Sequence, residues 1–136
     1  MLNKLSVPAD TVWRMIGGWN ALADWHPAIE KSELDEGGEV RTLSLAGGGA
    51  ITERLEEHDN AERTYTYSIL QSPLPVANYK ATIKVTDEDD GSCKVEWSSL
   101  FDPHGATETE ASKVIEGIYQ TGFDNLRKLL GVPPAQ

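Results

Sequence analysis

The sequence predicts an α+β fold, one antiparallel β-sheet with its helices gathered on one face. Three observations carry this. From "AIEKSEL" to "VEWSSLF" the chain alternates apolar and polar residues with a period of two, the mark of half-buried strands. Glycine-bearing turns punctuate that run, Asp90-Gly91 most clearly, as hairpins require. The last third carries apolar residues at helical spacing: Ala111, Val114, Ile115, Ile118, Gly122, Leu126 and Leu129.

Taken in order, "KLSV" is a short extended start. "PADTVWRMIGGW" reads as a helix with Asp10 as its cap, Val12, Trp13 and Ile16 on one face, and Gly17-Gly18 at its end. "NALADWHP" is a second helical turn closed by Pro27, which holds His26 extended. "AIEKSELDEGGEVRTLSLA" is a hairpin turning at Glu36-Gly37-Gly38. "ITERLEEHD" consists of good helix formers, yet the hairpins on either side predict a strand. "ERTYTYSIL" puts Tyr65, Tyr67 and Ile69 on one face, and Tyr79, Ala81, Ile83 and Val85 alternate likewise on the next strand. Thr107 and Glu110 form a capping box for the long helix, and Gly131 and Pro133-Pro134 end it.

At 136 residues the chain reads as a single domain, 1–136, with room for one core. A net charge of −10 repels phosphate backbones and anionic lipid, which argues against nucleic acid and membrane-surface partners. No stretch is long enough to insert into a bilayer, and the amino-terminal segment has no apolar signal region. The lone Cys93 excludes an internal disulfide and fits a reducing, cytoplasmic setting. No pair of histidines has metal-ligand spacing, so neither a metal nor another cofactor is expected. "AGGGA" has no following Lys-Ser/Thr for a phosphate loop, and "DEDDGS" has the wrong spacing for a calcium loop. The expected state is a monomer or homodimer.

The residue that stands out is Glu53. Strand alternation puts it between Ile51 and Leu55 on the face meant for the core, where an ionised carboxylate needs a partner. Either the strand slips and Glu53 is solvated at an edge, or it faces a cavity. Tyr65, Tyr67 and Tyr79 share inward parity on neighbouring strands, so their hydroxyls are its expected partners. Burial is then expected to raise its pKa modestly. Trp97 has the parity of Cys93 and Val95 and is a core or pocket-lining residue. His26 is a possible general base, although a histidine before proline is more often structural; His58 and His104 fall in apparent turns facing solvent. Gly117 and Gly122, inside the long helix, imply close helix–sheet packing or space kept open under Ile118.

This order of elements, with "DWHP" after the paired small helices, resembles the START/Bet v 1-like (SRPBCC) superfamily, and within it the bacterial polyketide cyclase/dehydrase-like proteins. The resemblance spans the chain. It implies a helix-grip fold: a curved seven-stranded antiparallel sheet around the C-terminal helix, with an apolar cavity between them. "TERLE" (52–56) and "NYK" (78–80) also resemble plant abscisic acid receptor segments beside the ligand pocket, which implies that Glu53 and Tyr79 face ligand. The receptors' gate and latch sequences are not reproduced in "AGGGA" and "SPLPVA". Their hormone-binding lysine falls near Pro27, so recognition of that hormone is not implied. The resemblance makes Trp25, His26, Glu53, Tyr65, Tyr67, Tyr79, Trp97, Ile118 and Gly122 the candidate site. Binding of a small hydrophobic molecule, polyketide-, lipid- or hormone-like, is the first functional reading. The others are a cyclase, dehydratase or aromatase using His26 or Glu53, and a partner-binding module with mobile loops.

Overall fold

The computed structural model describes residues 1–132. In chain order its elements are β1 (Leu2–Leu5), α1 (Ala9–Ile16), α2 (Leu22–Trp25), β2 (Ile29–Leu34), β3 (Val40–Leu45), β4 (Ala50–Asp59), β5 (Thr64–Gln71), β6 (Val76–Asp87), β7 (Cys93–Pro103) and α3 (Glu108–Leu130). The strands form one antiparallel sheet in the order β1-β7-β6-β5-β4-β3-β2. The three helices cover its concave face, which is the helix-grip arrangement. The C-terminal Pro133-Pro134 stop lies outside the described residues.

"ITERLEEHD" is a strand despite its helix-forming composition. Its neighbours decide this: β3 and β5 pair with it on both sides, Leu43 opposite Ile51 and Leu55 opposite Tyr67. Ladder bonds on two edges and a shared apolar face outweigh differences in helix propensity of less than about 1 kcal/mol per residue. The register shifts between Leu55 and Glu57, and the bulge then sets His58 opposite Tyr65. An extra residue reverses which face a side chain meets. His58 thus lies near the end of β4 rather than in a turn, and it stays exposed to solvent as expected. Its ring stacks on Tyr65 at 6.1 Å, and its Nε2 lies 2.7 Å from the Gly17 carbonyl oxygen.

Asp10 does not cap α1. The N-cap is Pro8, whose extended ψ of 149° aims its carbonyl at the Thr11 and Val12 N–H groups, and Asp10 instead accepts from Arg63 Nε at 2.8 Å. The buried face of α1 is Ala9, Val12, Trp13 and Ile16. On α3 the capping box forms as read, and Gly131 closes the helix in the left-handed region at φ 71°. The buried stripe differs in part. Ala111, Ile115, Tyr119, Gly122, Phe123 and Leu126 face the sheet, while Val114 and Leu129 remain 38% and 49% exposed. Each helical residue turns about 100° from the last, so a position adjacent to the stripe can fall outside it.

The two helix glycines have different roles. A Cβ on Gly122 would lie 2.8 Å from His26 Cδ2 and 3.1 Å from Trp25 Cζ3, whereas one on Gly117 would meet nothing within 4 Å. Close packing therefore explains Gly122 and not Gly117. Gly117→Ala should stabilise by up to about 1 kcal/mol through helix propensity, and Gly122→Ala should destabilise by about 1–3 kcal/mol through overpacking. Urea denaturation of the two variants measures both, and their opposite signs are the expected outcome.

Candidate functional site

The site begins with two facing residues. Arg41 on β3 and Glu53 on β4 are directly opposed in the ladder, and both point into the concave face. Arg41 Nε donates to Glu53 Oε1 at 2.9 Å, and its Nη2 lies 2.7 Å from the same oxygen. Nη1 donates to the Trp19 carbonyl at 2.7 Å, and the guanidinium lies 3.8 Å from the Trp19 ring centroid and 5.1 Å from that of Tyr67. The expected tyrosine partners of Glu53 are thus replaced by an arginine. The signal was present in "VRTLSL", where alternation gives Arg41 the inward parity of Leu43. Burial pushes the Glu53 carboxyl above its ordinary range, and the Arg41 charge and hydrogen bond oppose this. Among the described residues, Glu53 Oε2 has no hydrogen-bond partner.

Below the ion pair lies a small enclosed space of about 40 Å³. Of the candidate residues, His26, Glu53, Tyr67, Tyr79, Trp97 and Ile118 line it. Tyr119, Leu74 and Ile115, which sequence reasoning did not single out for the site, line it too. Tyr119 lies four residues beyond Ile115, on the same helical stripe, which was the available cue. Trp25, Tyr65 and Gly122 stand outside it. Trp25 packs behind Trp97 with ring centroids 5.6 Å apart. Tyr65 sits on the far side of Arg41 near Trp19, and Gly122 makes room for His26. The cavity has room for only a few waters and is far smaller than the ~300–1,000 Å³ of a typical ligand pocket.

The lining is aromatic with its polar atoms tied together. Trp97 Nε1 donates to Tyr67 Oη at 3.0 Å, and the Tyr79 and Tyr119 hydroxyls share a short hydrogen bond. Trp97 and Tyr119 stack with centroids 4.1 Å apart. Desolvation raises every tyrosine in the chain: Tyr65, Tyr67 well above the ordinary phenol value, Tyr79 to about 12, and Tyr119. His26 is fixed at both ring nitrogens. The Ala28 N–H approaches Nδ1 at 3.2 Å, so Nδ1 accepts and Nε2 carries the proton, donating to Ile118 O at 2.8 Å. Burial lowers its pKa, with the Ile118 bond opposing. A neutral imidazole with both nitrogens engaged has no lone pair free to take a proton, and its place is structural.

Comparison with known proteins identifies the family. The family model for "polyketide cyclase / dehydrase and lipid transport" matches residues 4–131. The chain belongs to the polyketide cyclase/dehydrase and lipid transport family. The protein XoxI from Bacillus cereus is 41% identical with a TM-score of 0.91, over 95% of this chain and 92% of that one. A protein of Bacillus thuringiensis has the same identity and TM-score, covering 95% of each chain. The Zhui aromatase/cyclase from Streptomyces sp. R1128 is 22% identical with a TM-score of 0.74, over 96% and 89% of the two chains, a likeness of fold. No curated protein matches the chain significantly. In this polyketide cyclase/dehydrase family member the small space described above lies between the sheet and α3. No described helix is long and apolar enough to cross a membrane.

Two outcomes follow from the buried charges. Arg41 has the Trp19 carbonyl and aromatic faces besides Glu53, whereas Glu53 has Arg41 alone. Arg41→Met should therefore cost about 3 kcal/mol or more and exceed the cost of Glu53→Gln, whose amide still accepts from the guanidinium. Without Arg41 the Glu53 pKa rises further. The protonated carboxyl is compatible with folding below the unfolded value, and that contribution is lost as pH rises through the folded pKa. Denaturation of Arg41→Met at pH 5 and pH 8 should show the larger deficit at pH 8. The phenols give the second outcome. All four tyrosines are raised, so tyrosinate absorbance should be absent near pH ~10 and appear together with alkaline unfolding monitored by circular dichroism.

Proposed function

We propose that the protein binds a small, largely hydrophobic molecule between the sheet and α3, anchored by a hydrogen bond to Glu53. The observation that carries this is the unused Glu53 Oε2 in an otherwise aromatic and aliphatic enclosure. An acceptor on the lining with no protein donor is open to a ligand hydroxyl or N–H, and a hydrogen bond to a carboxylate is among the stronger ones. The Arg41 guanidinium, by contrast, is held through Nε on Glu53 and Nη1 on Trp19, and its Nη2 is ion-paired with the same Glu53 oxygen. The site therefore favours ligands that donate over ligands that bring a carboxylate. Entry requires the aromatic lining to move, because the closed cavity is too small for such a molecule.

A second reading is a cyclase- or dehydratase-type enzyme acting on a hydrophobic carbonyl compound. It is favoured by the convergence of Glu53 with Tyr67, Tyr79 and Tyr119 on one space. A carboxyl with a raised pKa is suited to proton transfer, and neutral phenols can polarise a carbonyl oxygen. His26 has no part in this chemistry.

The test compares 1-naphthol with 1-methoxynaphthalene, which lacks the donor, by quenching of tryptophan fluorescence. Wild type should prefer 1-naphthol by about tenfold, as a hydrogen bond to a charged group implies. Glu53→Gln should abolish most of that preference, and Trp97→Ala should weaken both ligands. Absence of binding by either compound, or a preference indifferent to Glu53, overturns the reading.

A further inference from the structure

The closed cavity has a neighbour. Between β7 and the first half of α3 lies an open groove of about 360 Å³. Trp97, Ile115 and Tyr119 line both this groove and the inner cavity, so these side chains border the two spaces. The groove has two causes in the sequence. β1 pairs with Cys93–Glu96 of β7, and Met1 extends this to Trp97, so β7 continues past it as an edge from residue 98 to 103. Small side chains then face each other across the gap: Ser99, at an inward position on β7, and Ser112 on α3. Phe101 supplies an apolar wall, and Glu116 is an exposed carboxylate on the lining.

We propose that this groove is the entrance to the cavity and the seat of the ligand's apolar tail, with the Trp97–Tyr119 stack as the movable partition. The ligand it fits is an elongated, uncharged hydrophobic molecule whose donor head reaches Glu53. This rests on the cavity-binding reading above. Together the spaces approach the volume of an ordinary ligand pocket, which the cavity alone does not. Opening requires Tyr119 to leave Trp97 and release the Tyr79 hydroxyl, losses that ligand contacts replace. The Met1 ammonium, also on the groove lining, is held by the Trp97 carbonyl, while Glu116 at the groove, Glu53 within and a net charge of −10 oppose a fatty-acid carboxylate. At the other approach the Gly47–Gly49 loop lies near the segment around Pro73: a Cβ placed on Gly49 would come 4.0 Å from Pro73 Cγ.

Stopped-flow binding of N-phenyl-1-naphthylamine distinguishes the routes. Ser112→Trp should slow association by about tenfold or more, as obstructing a required opening does, while Pro73→Trp should leave it unchanged. In equilibrium competition, wild type should release the probe to 1-dodecanol and not to dodecanoate, and Glu116→Lys should gain displacement by dodecanoate. The lysine variant lies on an exposed helix position and tests the groove independently of how Ser112→Trp folds. Unchanged association in Ser112→Trp, slowing in Pro73→Trp alone, or dodecanoate displacement indifferent to residue 116 overturns the groove route and leaves the cavity reading standing. Failure of wild type to bind any of these probes overturns the cavity reading itself.

Discussion

Arg41 and Glu53 face each other across β3 and β4 with essentially no access to solvent, and much of the concave face is arranged around them. An ion pair of this kind returns little net stability, because desolvating both charges offsets their attraction. Its effect is positional. The guanidinium holds the Trp19 carbonyl and packs on the Trp19 ring, which ties the α1–α2 connection to the sheet. Tyr65 and Tyr67 line the same cation. On the other side, Glu53 lines the cavity, and its second oxygen takes no hydrogen bond from the described residues. One cross-strand pair thus closes one end of the interior and defines its polar chemistry.

The remaining polar atoms of the interior mostly satisfy one another. Trp97 donates to Tyr67, Tyr79 pairs with Tyr119, and His26 is held by α3 and by its own turn. Burial keeps the phenols and the imidazole neutral while the Arg41–Glu53 pair carries the charge. An interior of neutral hydroxyls around one carboxylate suits a hydrogen-bond donor and apolar bulk better than a second anion. The same arrangement is compatible with binding and with proton transfer, so the fold alone does not separate them.

The fit of α3 to the sheet varies along its length, and single side chains set the variation. At Gly122 the absence of a Cβ lets the rings of Trp25 and His26 approach the helix backbone. Toward the amino-terminal half, Ser112 and Ser99 leave unfilled space, and the short β1 leaves the neighbouring edge of β7 open. Tyr119 and Trp97 stand between the tight and loose regions. A helix of good propensity with a firm capping box can carry this uneven contact because its backbone bonds are satisfied internally.

The architecture was legible in the sequence because it depends on local periodicity. Alternation in "TYTYSIL" and "YKATIKV", the Asp90-Gly91 turn and the Thr107–Glu110 box each specify their element from adjacent residues. The inward position of Glu53 followed from the same alternation, and so did that of Arg41, although charge masked it. Partnership was not legible. Whether Glu53 meets a tyrosine or an arginine depends on the β3–β4 register, and the side His58 takes depends on a bulge. Whether His26 retains a free nitrogen depends on a carbonyl 92 residues away. Periodicity says which face a side chain occupies, while long-range pairing decides what it meets there, and only the folded chain fixes that distance.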